Sequence, residues 1–307
     1  KIKIKKELIK NKNKIITDLD LLYMSNNRIK SIVVTGSNGK STTCKLIEHV
    51  LNKSKFKVEL GGNIGKPVLS LNNKKNSLFL IEASSFQLAY SKFIKPTYGM
   101  ILNISNDHLD WHGNMKNYII SKFKIFLLQN SSEYSILKDK SLIKIFKTKK
   151  LLGKLKTVKF NLYKKIKGKI TNKYLTSKIN EENISFVYTL SKILKINQKL
   201  FIKRCNTFKG LPHRHEVFYQ NKNIKFINDS KATSFEASQL ALSCNKNILW
   251  IVGGQPKLKD HFYFNNVSKN IIKSYIIGKH INFFKNNLKK KIKFQVTKTL
   301  KKTLITI

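Results

Sequence analysis

Ser31-Ile-Val-Val-Thr-Gly-Ser-Asn-Gly-Lys-Ser-Thr-Thr43 is the stretch from which the fold can be read. Ile32 to Thr35 is a β-branched run, which favours a strand, and it breaks at Gly36 and Gly39. Lys40-Ser41-Thr42 then opens an amphipathic segment that ends near Leu51, so the pattern predicts a strand, a tight loop and a helix start. Such a loop leaves several backbone N–H groups pointing at one spot, where the helix dipole also favours negative charge. Phosphate is the natural occupant. Gly36, Ser37, Asn38, Gly39 and Thr42 would cradle it, Lys40 would reach the outer phosphates, and the Ser41 hydroxyl would ligate Mg²⁺.

The spacing is shorter than in the usual phosphate loop, which has four residues between its first Gly and the Gly-Lys pair; here only Ser37 and Asn38 intervene. An ordinary glycine-rich strand-to-helix turn reads the same way, so the rest of the chain has to decide. In 307 residues two domains are expected, and a hydrophobic content of 41% indicates a folded chain with a proper core. The formal charge of +45 first suggests a nucleic acid or an anionic membrane as partner. The lysines are spread along the whole chain, however, the only arginines are Arg28, Arg204 and Arg214, and Asn and Ile are abundant too. Lys, Asn and Ile share A/T-rich codons, so a biased genome accounts for the excess and neither partner is expected. Cys44, Cys205 and Cys244 are isolated, which fits a reducing cytoplasm. No apolar run approaches the roughly 18 residues of a membrane span, and no signal peptide is visible.

Lys1 to Lys30 is lysine-rich with a short apolar patch, Ile15 to Tyr23, and reads as a lead-in. From Ser31 strands and helices alternate: strands over Ile32 to Thr35, Ser77 to Glu82, Tyr98 to Ile104, Tyr134 to Leu137 and Thr157 to Phe160, with helices over Lys40 to Leu51, Met115 to Leu128, Glu182 to Leu194 and Gln198 to Thr207. Alternation of this kind implies an α/β domain over residues 31–210, with a mostly parallel sheet covered on both faces. Gly210-Leu-Pro212 punctuates the chain, and a second α/β series over 211–307 follows. Its strands are expected at Glu216 to Tyr219, Lys225 to Asn228, Ile248 to Val252 and Ser274 to Ile277, and its helices at Ser234 to Leu242 and Asn265 to Asn270. Few units fit before Ile307, so this Rossmann-like domain is read as truncated.

Glu82 closes a strand, where α/β proteins bind ligands, and would face the Gly36–Lys40 loop as a Mg²⁺ ligand; a solvated strand-end Glu is the plainer alternative. The segment Asn103 to His112 gathers Asp107, His108, Asp110 and His112 after another strand. His108 reads as a ligand for a cation or phosphate, Asp110 as a helix cap, and His112 as a structural histidine. Zinc is not expected, because no further Cys or His completes a set.

At this point the residues resemble a known family, the ATP-dependent Mur ligases of peptidoglycan synthesis. The motifs are Thr35-Gly-Ser-Asn-Gly-Lys-Ser-Thr42, Gly61-Gly-Asn-Ile-Gly65, Glu82-Ala-Ser-Ser-Phe-Gln87, Asn106-Asp-His-Leu-Asp110, Gly210-Leu-Pro-His-Arg-His-Glu216, Asn228-Asp-Ser-Lys-Ala-Thr233 and Gly253-Gly-Gln-Pro-Lys257, in family order. The Asn228–Thr233 string is similar to the branch that adds D-glutamate to UDP-N-acetylmuramoyl-L-alanine. The resemblance implies ATP and Mg²⁺ as cofactors, those two substrates as partners, and a monomer. It places Lys40 and Ser41 on the phosphates and first Mg²⁺ with Glu82, and His108 on a second Mg²⁺. It also implies a carbamylated lysine ligand, at Lys122. Asn63, with Ser84 and Gln87, would contact the muramoyl substrate, and Asn180 and Asn183 the adenine. The family's His before the first Asn is Ile179 here, and Asn180 reads equally as a helix cap. Arg214 would hold phosphate, Asp229 the ribose, Lys231 the acyl-phosphate region, and Thr233 and Lys257 the D-glutamate carboxylates.

The implied chemistry is activation of a carboxylate as an acyl phosphate, followed by amine attack. Measured against the family, the uridine-binding domain and the late substrate segment are not found, so the chain is expected to be an internal fragment or a degraded copy. Three alternatives stay open: a nucleotide-binding remnant without turnover, a ligase of another Mur or folylpolyglutamate type, and a basic nucleic-acid binder.

Overall fold

The computed structural model describes residues 11–25, 29–52, 54–72, 77–257, 260–263 and 266–307. The chain falls into two compact units, one reaching Thr176 and resuming over Asn180–Lys209, the other comprising Ser177–Ile179 and Gly210–Ile307. The first unit is built on six strands: β1 (Ser31–Thr35), β2 (Lys57–Gly62), β3 (Ser77–Glu82), β4 (Tyr98–Ile101), β5 (Tyr134–Leu137) and β6 (Lys154–Thr157). They form one sheet in the order β2-β3-β1-β4-β5-β6, and every pair is parallel.

All five residues of β1 are buried, as an inner strand covered on both faces requires. Successive side chains point to opposite faces. Ile32 and Val34 join a core with Cys44, Leu46, Ile47 and Val50 of the helix Lys40–Leu51 and with Ile184 and Val187 of the helix Glu181–Ile193. Val33 joins the opposite core, with Phe79, Ile81, Ile101, Phe123 and Ile125.

Part of the stretch read as a lead-in is structured: Asp18–Ser25 is a helix whose Leu19, Leu22 and Tyr23 lie in that second core. Its Asp20 carboxylate is buried and accepts the backbone N–H groups of Lys92 and Phe93. The strand expected over Thr157 to Phe160 begins earlier, at Lys154, and Phe160–Lys167 is a helix. β6 is a sheet edge with most side chains exposed, so backbone pairing to β5 holds it and no apolar run marks it. The strand expected to reach Ile104 stops at Ile101, and β2 and the helix Lys140–Thr148 were not apparent from the pattern.

In the second unit β7 (Glu216–Gln220) and β8 (Lys225–Asn228) pair as an antiparallel hairpin. A separate parallel sheet has the order β11-β10-β9, with β9 (Ile248–Gly253), β10 (Ile271–Ile277) and β11 (Phe294–Lys298). Phe235, Phe262, Ile276, Phe284 and Leu288 form its core. The helix expected over Asn265 to Asn270 is only a 3-10 turn at Ser268–Asn270; Asn265 lies outside the described residues. The helices Ile281–Leu288 and Leu300–Thr306 and strand β11 also belong to this unit, and the pattern does not single them out.

Candidate nucleotide and metal site

β1 and β4 are neighbours, yet the chain leaves β1 towards β2 on one side and leaves β4 towards β5 on the other. That makes their carboxyl ends the switch point of the sheet, where open α/β folds leave a crevice. The Gly36–Gly39 loop stands at this point. Gly39 is the N-cap of the helix Lys40–Leu51, with φ +82° and no side chain capping the first turn. The left-handed conformation suits glycine, and a helix start that no side chain caps is the kind of place where backbone N–H groups attract anions.

The loop is tightly held. Ser37 Oγ lies 2.9 Å from the Tyr118 hydroxyl, donates to the Ser105 carbonyl and accepts the Ser105 N–H. Lys40 Nζ folds back onto the carbonyls of Gly36 and Ser37 at 2.9 and 2.8 Å. Ser41 and Thr42 are buried in the first helical turn.

Glu82 ends β3, paired through Val34 with the strand that carries the loop. It is 1% exposed; Oε1 accepts from Asn63 Nδ2 at 3.0 Å, while Oε2 is buried with no hydrogen-bond partner among the described residues. An orphaned carboxylate oxygen inside a protein is costly, which is the condition that a cation relieves. Asn63 is held beside the Glu82 carboxylate by its side-chain amide and by its backbone N–H on the Glu82 carbonyl.

Lys122 lies on the helix Met115–Leu127, fully buried, with Nζ 2.9 Å from the Gly36 carbonyl, 3.3 Å from Thr35 Oγ1 and 4.5 Å above the Tyr118 ring. Burial first, and then the Lys40 charge, hold its amine well below the usual lysine range. His108 adopts φ +53°, with Nε2 3.4 Å from an Asp107 carboxylate oxygen and its ring edge-on to Phe86. His112 is buried, with Nε2 3.0 Å from Ser85 Oγ, and burial lowers it to about 4. Among the described residues no three His, Cys, Asp or Glu side chains converge on one point. Few protein ligands and several waters are the usual surroundings of Mg²⁺.

Other expected site residues are occupied structurally. Ser84 and Gln87 form a reciprocal capping box at the helix Ser85–Tyr90, and the Gln87 amide also reaches Asp18. Asn183 and Asn180 are buried and bonded to each other at 3.0 Å; Asn183 Oδ1 accepts from Thr43 and fills the space that a side chain at Gly39 would need. In the second unit, Arg214 lies two residues before Glu216 of β7, and Asp229 follows β8. Asp229 accepts the His215 N–H at 2.9 Å; burial pushes its carboxyl up against the opposing pull of that bond and of Arg214. Lys231 and Thr233 are exposed just beyond it, and Lys257 follows β9. One residue of the first unit escaped the sequence reading altogether. Asn103 receives the Asn38 N–H on Oδ1 at 2.8 Å, and a loop asparagine has no periodicity to announce it.

A parallel sheet with an uncapped glycine loop at its switch point, a buried lysine behind the loop and a carboxylate on the next strand define a nucleotide-binding α/β domain of the phosphate-loop type. The Mur ligase middle domain matches residues 34–205. The chain belongs to the Mur ligase family. It is 32% identical over 305 residues to the UDP-N-acetylmuramoylalanine–D-glutamate ligase of Rickettsia felis, covering 93% of this chain and 68% of the relative. To the enzyme of the same name from Buchnera aphidicola subsp. Schizaphis graminum it is 35% identical over 319 residues, covering 95% and 70%. Among solved structures, MurF from Acinetobacter baumannii superimposes with a TM-score of 0.69 at 14% identity, covering 94% of this chain and 71% of that one. MurF from Thermotoga maritima in complex with ADP gives 0.68 at 16% identity, covering 90% and 73%; these two likenesses are of fold.

Proposed function

We propose that the protein is an ATP-dependent ligase that joins D-glutamate to UDP-N-acetylmuramoyl-L-alanine, a cytoplasmic step of peptidoglycan synthesis. Lys122 carries the reading. Its amine is buried against the phosphate loop, and burial favours the neutral form. A neutral amine can add CO₂ and lose a proton, which turns Lys122 into a carbamate with oxygen ligands. Ser41 and Glu82 would then hold one Mg²⁺ and His108 a second, with the carbamate of Lys122 as a further oxygen ligand, and the Glu82 Oε2 that has no hydrogen-bond partner among the described residues fits that role. Mg²⁺ bound there supplies positive charge against the phosphates of ATP.

The residues of the chain do the rest by placement. The Gly36–Thr42 amides and Lys40 would hold the phosphates, Asn180 and Asn183 would serve the adenine, and Asn63, Ser84 and Gln87 the muramoyl substrate. Of the residues in the second unit, Arg214 would serve a phosphate, Asp229 the ribose, Lys231 the acyl phosphate, and Thr233 and Lys257 the carboxylates of D-glutamate. The substrate carboxylate attacks the γ-phosphorus and ADP leaves. The D-glutamate amine then attacks the acyl carbon, phosphate leaves, and a proton is lost. Sequence identity to D-glutamate ligases across more than nine-tenths of the chain supports that choice of amino acid.

ADP release by the full-length protein tests the reading. Release should require both UDP-N-acetylmuramoyl-L-alanine and D-glutamate. Equal rates with another amino acid would overturn the specificity, and release indifferent to the muramoyl substrate would overturn the ligase assignment.

A further inference from the structure

Asn103 and Glu182 have no part in the scheme above, yet they hold the loop at its centre. Asn103 follows β4 and reads both sides of Asn38: Oδ1 accepts the Asn38 N–H at 2.8 Å, and Nδ2 donates to the Asn38 carbonyl at 3.2 Å. Its own carbonyl accepts the Ser37 N–H at 2.9 Å. The same Nδ2 donates to Glu182 Oε2 at 2.9 Å, and Glu182 Oε1 takes Lys138 Nζ at 2.7 Å. Both oxygens of Glu182 are therefore committed, and the carboxylate cannot rotate without losing a charged bond. Glu182 sits in the first turn of the helix Glu181–Ile193, beside Asn183, whose side chain closes over Gly39.

Fixing Asn38 fixes two peptide planes, because its N–H belongs to the one before it and its carbonyl to the one after. In a trans peptide C=O and N–H point in opposite directions. Holding the Asn38 carbonyl on Asn103 therefore turns the Gly39 N–H away from Asn103, while the Asn38 N–H is taken up by the brace. The Gly39 N–H, at the start of the helix, is thereby directed to the side of the loop opposite the brace.

We propose that Asn103 and Glu182 are positioning residues for ATP, a brace that sets the shape of the phosphate loop and ties it to the first turn of the helix bearing Asn183. The inference rests on the reading of the loop as the ATP site. A charge exchange tests it. In Asn103→Asp a carboxylate faces Glu182 and the Asn38 carbonyl, and ADP binding measured by calorimetry weakens about tenfold or more. Adding Glu182→Gln lets the new amide donate to Asp at 103 and accept from Lys138, with the net charge unchanged, so about threefold or more of the lost affinity returns, while the Asn38 carbonyl stays unheld and recovery stops short of the unmodified protein. Undiminished ADP binding in Asn103→Asp, or a double variant no better than the single one, overturns the brace.

Amide exchange of the loop judges it without nucleotide. Asn103→Ala should speed exchange over residues 36–40 by about tenfold while the remaining strands keep their protection. Unchanged exchange overturns the proposal whatever the binding result. If the unmodified protein takes up no ADP, the ATP reading of the loop fails and the positioning role falls with it; the exchange data then separate that failure from the absence of a brace.

Discussion

Gly39→Ala is the substitution that most directly probes the loop. Gly39 stands at φ +82°, where an L side chain is strained by about 1–2 kcal/mol. The added methyl would also overlap Asn183 Oδ1. That oxygen belongs to a flexible side chain, but the chain is not free to turn: Asn183 is 6% exposed, accepts from Thr43 Oγ1 at 3.3 Å and donates to Asn180 Oδ1 at 3.0 Å. Displacing it breaks one or both bonds, at about 1 kcal/mol each. The two costs together predict a loss of about 2–4 kcal/mol. Urea unfolding measures it as a lower midpoint at unchanged slope. Because the overlap involves a particular partner, Gly39→Ala combined with Asn183→Ala should lose about 1 kcal/mol less than the sum of the single variants. A single-variant cost under about 0.5 kcal/mol, or strict additivity, would refute the account of how the loop is held.

Three further outcomes follow from the same geometry. Lys122→Met replaces a buried amine by an apolar chain of similar length; the urea midpoint should hold or rise while ligase activity falls about a hundredfold or more, and a variant that keeps its activity would remove Lys122 from the mechanism. Burial lowers His112 to about 4 in the folded chain from an ordinary 6.5, so the unfolded chain takes the proton first and stability is lost as pH falls from about 6.5 to 4, by at most about 3.5 kcal/mol. His215, lowered to about 4 chiefly by burial, adds to the same window, so His112→Gln should reduce the slope of stability against pH without abolishing it; an unaltered slope would count against the burial of His112. Tyr118→Phe removes the hydroxyl 2.9 Å from Ser37 Oγ and should cost about 1 kcal/mol with weaker ADP binding, whereas full stability would show that the Ser105 and Asn103 bonds suffice to secure Ser37.

Strand β1, its loop and the helix Lys40–Leu51 were legible because their signals are local: β-branching, glycine, then helical spacing. β3 and the helix Glu181–Ile193 were legible in the same way, to within a residue. Edge elements were not. Lys154-Leu-Lys-Thr157 and Lys57–Gly62 carry charged residues that the pattern assigns to solvent, and backbone pairing with a neighbour makes them strands. The tail of the second unit failed for a related reason, since Phe294–Lys298 becomes a strand only by lying against β10.

By itself the sequence determined the class of the protein: a short glycine loop ending in Lys-Ser-Thr, with the Glu82, His108 and Asn228–Thr233 strings in family order. Tertiary structure alone decided which lysine is withdrawn from water and what braces the loop. In a chain so rich in lysine, nothing in the neighbourhood of Lys122 distinguishes it; its partner Gly36 is 86 residues away. Asn103 likewise meets Asn38 across 65 residues and Glu182 across 79. Burial and hydrogen-bond partnership depend on what the sheet order brings together, and that order is written in no single segment of the chain.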